Sequence, residues 1–256
     1  MQLPTTPSRG SENRAPHVGV NIFMTNNSPD NKGPINNREA PDMGQITLRT
    51  RTNLAVPHLI SACLFSKQVM ALERENQGKE FGAFWEDILA NASANVLLTV
   101  AALESYVNEL FADHETNFPG IRTDVLIKLW ESYELKPILD KYDLALLLRQ
   151  TSLLNRGNAP TQDVNLLIRL RNALTHFKPE WFDVQQDHAK LSSQLIGRFL
   201  PSSFFSASES VFPRRWATHG CTAWAIKSAI NFIETFEVQS GLPKRLEQFK
   251  PRFIYE

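Results

Sequence analysis

Proline placement divides this chain before any other feature does. Residues 4, 7, 16, 29, 34, 41 and 57 are proline, close to half of the 15 in the 256-residue sequence, and the pairs Asn26-Asn27 and Asn36-Asn37 fall among them. Proline removes an amide donor and fixes φ, and Asn favours turns, so continuous helix is excluded over most of this stretch. Only residues 17–24 and 46–56 have the apolar content or alternation that a strand requires. The expectation is a mostly irregular, flexible N-terminal arm over 1–56, with room for two short strands.

Beyond Pro57 the apolar spacing becomes helical. Leu59, Cys63, Val69 or Met70, and Leu72 share a face over 58–76, and Gly78 supplies a stop. Phe81, Phe84, Trp85, Ile88, Leu89, Ala92, Val96 and Leu97 step by three and four through 80–115, which predicts a long central helix. Further helices are predicted over 122–133, 137–150, 158–177 (capped by Asn158 or Thr161 and ended before Pro179), 183–199 and 217–239, with a Ser/Phe-rich loop over 201–213. The implied fold class is all-α: a helical bundle over 57–243 behind a proline-rich extension, with a solvated C-terminal tail over 244–256.

Composition narrows the function. Hydrophobic residues at 42% and charged residues at 21% describe an ordinary globular chain. Equal numbers of basic and acidic residues, 27 each, deny it the broad basic surface of a non-specific nucleic-acid binder, so any polyanion contact is local. Cys63 and Cys221 belong to no zinc-like spacing and are expected as plain buried thiols. The six histidines show no short helical pairing, and P-loop, GxGxxG, HExxH and GxSxG patterns are missing; neither a metal nor a cofactor is expected. Met1-Gln2-Leu3-Pro4 does not resemble a secretory leader and no uninterrupted apolar run approaches bilayer length, which predicts a cytoplasmic protein with no membrane partner. The five tryptophans are expected as core or interface anchors.

One stretch carries chemistry: residues 167–177, an apolar helix that ends in a cation, an amide and an imidazole. At 100° per residue Asn165, Ile168, Asn172 and His176 form a stripe, while Arg171 lies on the adjoining one between Leu167 and Leu174. Three polar groups can thus converge on one phosphate: a guanidinium fork that binds two oxygens, an amide that orients, and an imidazole that moves protons near neutral pH. In the central helix, Glu104 and Asn108 interrupt an apolar stripe of Leu97, Val100, Ala101 and Phe111. A carboxylate there needs a partner, and Arg171 is the expected one.

The run Arg171-Asn172-Ala173-Leu174-Thr175-His176 resembles the Arg-x4–6-His motif of the HEPN-domain family, including the polar residue after the arginine. Residues 96–111 and 224–236 are similar to the long second helix and the closing helix of that family, so the resemblance spans about residues 57–240. It implies a small α-helical bundle, commonly a homodimer, whose catalytic members are metal-independent endoribonucleases of toxin–antitoxin, anti-phage or RNA-processing systems. Residues 51–58 and 214–219 also satisfy the spacing, but Pro57 interrupts the first and Gly220 comes directly after the second, so helical context selects Arg171 and His176. The resulting expectation is an RNA-cleaving site of Arg171, Asn172 and His176, supported by Glu104 and Asn108. Two copies would face each other in a dimer, and an antitoxin or regulatory protein would be a further partner. The competing reading is a non-catalytic module that binds a nucleotide, RNA or protein through the same residues.

Overall fold

The computed structural model describes residues 51–181 and 188–256. The proline-rich arm and the candidate strands up to residue 50 lie outside the described residues, whereas Ala55 and Val56, expected as the end of the arm and of its second strand, belong to the first helix. Residues 54–256 form one compact unit built on eight helices among the described residues: α1 (Ala55–Glu75), α2 (Phe84–Ala112), α3 (His114–Asn117), α4 (Thr123–Tyr133), α5 (Ile138–Leu148), α6 (Ala159–Thr175), α7 (Ala189–Leu195) and α8 (His219–Ser240). Among the described residues there is no β-strand, as an all-α chain requires.

The core is a layer of α1, α2, α6 and α8, with α5 against α2 and α8. Helix α2 is central because its apolar period is almost unbroken: Trp85, Ile88, Ala92, Val96, Val100, Leu103, Val107 and Leu110 are all buried. Small side chains let α1 come close, and Asn95 on α2 donates to the Ala62 carbonyl at 2.7 Å. The Ser66 and Thr222 hydroxyls pair at 2.8 Å between α1 and α8. Leu59 and Leu103 are completely buried, so truncating either to alanine is expected to cost about 2–5 kcal/mol. Both α1 and α2 have the length and apolar content of a bilayer-spanning helix; 33% of the apolar stretch of α1 and 44% of that of α2 is buried inside this bundle.

Helix ends obey local chemistry. The Asn158 side chain accepts from the Thr161 amide at 3.1 Å, and Pro160 lies in the first turn, which starts α6 where the sequence indicates. Thr218 caps α8 by accepting from the Cys221 amide at 3.1 Å. Gly241 ends it at φ 67°, with the Leu242 amide reaching back to the Glu237 carbonyl, a turn that a Cβ would strain.

Several elements differ from the sequence reading. Helix α2 starts at Phe84 rather than near residue 80, leaving Phe81 in the preceding loop against Phe205 at 5.3 Å. It stops at Ala112, where Asp113 leaves helical geometry and the single turn of α3 begins. Of the predicted helix over 183–199, residues 183–187 lie outside the described residues, and α7 ends at Leu195 because Ile196 is extended and Gly197 has φ 79°. The C-terminal segment is no solvated tail: Leu246 and Phe253 are buried, and Lys250 bridges Glu234 and Glu247 at 2.8 and 2.9 Å. The Ser/Phe-rich loop also contributes to the core through Val211 and Phe212, in a short turn at Val211–Arg215.

Candidate active site

Helix α6 docks Val164, Leu166, Leu167 and Leu170 into the core, which leaves its opposite side to solvent. Asn172 and His176 are exposed one turn apart on that side, and the His176 amide closes the helix by donating to the Asn172 carbonyl at 2.9 Å. Arg171 is half-buried on the flank. Its Nε is buried without an acceptor, and its guanidinium forms no hydrogen bond or ion pair among the described residues. The Arg171 carbonyl accepts from the Thr175 hydroxyl at 2.9 Å, which tightens the last turn between the arginine and the histidine.

A second histidine fixes the chain just beyond His176. His188 is buried, stacks on Phe177 with ring centroids 5.3 Å apart and an interplanar angle of 3°, and donates from Nε2 to the Lys178 carbonyl at 2.9 Å. Phe212 meets the same imidazole edge-on at 5.1 Å. The exit from α6 is therefore held by packing, while the His176 imidazole itself remains exposed and forms no side-chain hydrogen bond among the described residues.

The two other Arg…His spacings lead to structural histidines. His58 faces the Ser105 hydroxyl at 3.5 Å, and His219 donates to the Tyr255 carbonyl at 2.7 Å. Of the three, only the α6 pair presents its imidazole without a protein partner among the described residues.

The expected support from Glu104 takes another form. Lys141 on α5, 1% exposed, donates to Glu104 Oε1 at 2.8 Å and to Asn108 Oδ1 at 3.3 Å, and stands 5.7 Å from the Trp130 ring centre. Glu104 therefore pairs with Lys141 and not with Arg171. The reason is register: Lys141 occupies an apolar position of α5, beside Tyr142 and between Ile138 and Ala145, so its ammonium must find anions inside the bundle. That register is legible in the sequence and marks Lys141 as a cation in need of an internal anion, though it does not name the anion. Asn108, with Phe111, Trp130, Glu134 and Leu135, also lines an open groove of about 400 Å³. Phe111 stacks on Trp130 at 4.3 Å there, so the indole already has an aromatic neighbour.

Tryptophans divide as anchors should, with one exception. Trp85 and Trp216 are buried and Trp130 and Trp224 half-buried, whereas Trp181, five residues beyond His176, is 84% exposed. Both cysteines are buried and free, and burial raises the Cys63 thiol to about 11, too high for a nucleophile at neutral pH. Among the described residues, no three His, Cys, Asp or Glu side chains gather as a metal site would need. Among the described residues, the α6 terminus presents a cation, an amide and an imidazole whose side chains form no hydrogen bond or ion pair. Set against protein-family models, curated protein sequences and solved structures, the chain matches none.

Proposed function

We propose that this protein is a metal-independent endoribonuclease of HEPN type, acting as a homodimer in the cytoplasm with Arg171, Asn172 and His176 as its reacting groups. One observation carries the reading: at the end of α6 the Arg171 guanidinium lacks a protein anion and the neighbouring His176 imidazole lacks a protein partner, among the described residues. A half-buried guanidinium with no protein acceptor among the described residues offers its Nη groups to phosphate oxygens, and such a charged pairing would offset the desolvation of the side chain.

The chemistry is a transesterification. An imidazole takes the 2′-hydroxyl proton, the 2′-oxygen attacks the adjacent phosphorus, and the bond from phosphorus to the 5′-oxygen breaks as a second imidazole protonates that oxygen. Arg171 holds the phosphoryl oxygens as their charge grows. The products are a 2′,3′-cyclic phosphate and a 5′-hydroxyl. One chain offers one His176, so two-fold pairing of the α6 termini supplies the second imidazole and a second guanidinium. Exposed Phe177 and Trp181 beside the motif provide apolar surface for that pairing.

Purified protein incubated with mixed RNA, with and without EDTA, tests the reading. Cleavage that persists in EDTA, leaves cyclic phosphate ends and disappears in His176→Ala is the expected result. Cleavage abolished by EDTA, or retained in His176→Ala, overturns the mechanism. RNA bound but never cut assigns the site to a binding module instead.

A further inference from the structure

The solvent side of α6 extends well beyond the motif. Gln162, Asn165, Arg169, Asn172 and His176 recur at intervals of three and four, and all five are exposed. Fourteen residues at a rise of about 1.5 Å place the ends of this row about 21 Å apart. The end away from His176 opens on a cleft of about 240 Å³ between α6 and the region at and beyond the end of α7, lined by Gln162, Asn165, Leu166, Arg169, Gln194 and Arg198.

The lining is rich in donors and contains no carboxylate. Arg169 donates from Nη1 to Gln194 Oε1 at 2.9 Å, and Arg198 donates from Nη1 to Asp163 Oδ1 at 2.7 Å. Each guanidinium has five N–H groups, so both retain donors after holding their protein partner. Asp163 neutralises one of the two charges and leaves the cleft net positive. Three amide side chains add neutral donors. In a chain with no net charge, two guanidiniums on one small cleft form the local positive feature that a polyanion requires.

We infer that this cleft is a second phosphate subsite, which holds the backbone of a single RNA strand running along α6 from His176. The inference rests on the cleavage reading for its ligand, and it names where the strand lies. Arg169 and His176 are seven positions apart, about 10 Å along the helix, a span longer than one nucleotide step of a strand. A mononucleotide cannot reach both ends, whereas a strand contacts the reacting groups and the cleft together. The phosphate contacts fix register and orientation without reading base identity.

Binding of a fluorescein-labelled single-stranded RNA of about twelve nucleotides, monitored by anisotropy between about 50 and 200 mM salt in full-length His176→Ala protein, tests the subsite apart from cleavage. Arg169→Gln combined with Arg198→Gln is expected to weaken binding at least ten-fold. It should also flatten the logarithmic salt slope by about 1.4, the value for two lost contacts to a single strand. Arg198 also holds Asp163, so Asn165→Asp provides an independent variant: it adds charge at an exposed helix position with no side-chain bond among the described residues and is expected to weaken binding as well. Lys227→Gln, on the exposed side of α8, should leave affinity unchanged, and AMP at millimolar concentration should not displace the strand. Unchanged affinity and salt slope in the double variant and in Asn165→Asp overturn the subsite, as does displacement by AMP. RNA cut by the wild-type protein with a KM indifferent to the double variant sinks the subsite and spares the cleavage reading. RNA held through the cleft but never cut does the reverse.

Discussion

Lys141 on α5 and Arg171 on α6 are both cations set into largely apolar helix faces, and the bundle treats them in opposite ways. Lys141 is enclosed and its protons are assigned: Glu104, Asn108 and the Trp130 ring surround it. Arg171 is half-buried, and among the described residues its Nε faces no acceptor. A buried charge whose partners are all supplied by the protein is a structural device, since its desolvation is offset internally. A guanidinium whose partners are not supplied retains its binding capacity for a ligand. The same contrast separates His188 and His219, each spent on a backbone carbonyl, from His176, which is not.

Exchanging the two phenotypes is the strongest way to break this comparison. Arg171→Ala is expected to reduce RNA cleavage by about 10²–10³-fold, the usual loss when a donor to a developing oxyanion is removed. Its unfolding free energy should change by less than about 1 kcal/mol, because no protein anion is orphaned. Lys141→Ala is expected to do the opposite. It should lose about 3 kcal/mol of stability in urea unfolding, at the low end for a broken buried pair because the Glu104 side chain is 39% exposed and can reach water, with cleavage per folded molecule retained. A stable Lys141→Ala without activity, or an unfolded Arg171→Ala, would reverse the assignment of the two cations.

A smaller effect sharpens the point. Lys141→Met keeps the stem that packs beside Trp130 and removes the charge, leaving Glu104 to solvent. Its urea midpoint should return to within about 1 kcal/mol of the wild type, since a well-packed apolar residue often replaces a buried ion pair at little cost. A loss as large as that of Lys141→Ala would show that the ion pair itself, rather than filled volume, holds α5 against α2.

Helix periodicity makes most of the bundle legible. The stripe from Trp85 to Leu110 predicts α2, and Asn158 with Pro160 predicts where α6 starts. Stop signals are harder to read: Asp113 leaves helical geometry without a Gly or Pro at the break, and at the end of α7 the helical spacing over 183–199 runs straight through Gly197, which in the structure takes φ 79° just after Ile196. The packed C-terminus is hidden for a different reason: Leu246 stands alone between Arg245 and Glu247, the run from Phe253 to Tyr255 is too short to show a period, and only the receiving surface shows that Leu246 and Phe253 are buried. In the site, spacing places Asn172 and His176 on one exposed line and Arg171 on its flank. Spacing cannot choose between two cations for one carboxylate, and Glu104 goes to Lys141, on a helix that sequence distance does not bring near. The cleft at Arg169 escapes a reading by helix face because part of its lining, Gln194 and Arg198, comes from a separate segment.

The smallest expected effect concerns Glu237, the buried carboxylate of α8, which accepts from the Tyr106 hydroxyl and the Arg245 amide, both at 2.8 Å. Burial raises its pKa above the ordinary carboxyl value, and the two donors only partly oppose that. The folded chain therefore holds this proton more tightly than the unfolded chain does. By linkage, the stabilisation from protonated Glu237 is complete below the unfolded-state value of about 4.5 and is lost as pH rises through the raised folded value. Glu237→Gln keeps an acceptor oxygen for Tyr106 and Arg245 and cannot ionise. In urea unfolding from about pH 4.5 to 7.5, its stability relative to wild type should improve as pH rises and fall back toward the acid end. Glu73, raised by burial in the same way, leaves a residual slope that Glu73→Gln in the same chain should reduce. A relative stability that worsens as pH rises would mean that Tyr106 and Arg245 stabilise the charged carboxylate by more than burial costs it. Glu237 would then belong with Lys141, as a charge whose needs the bundle meets.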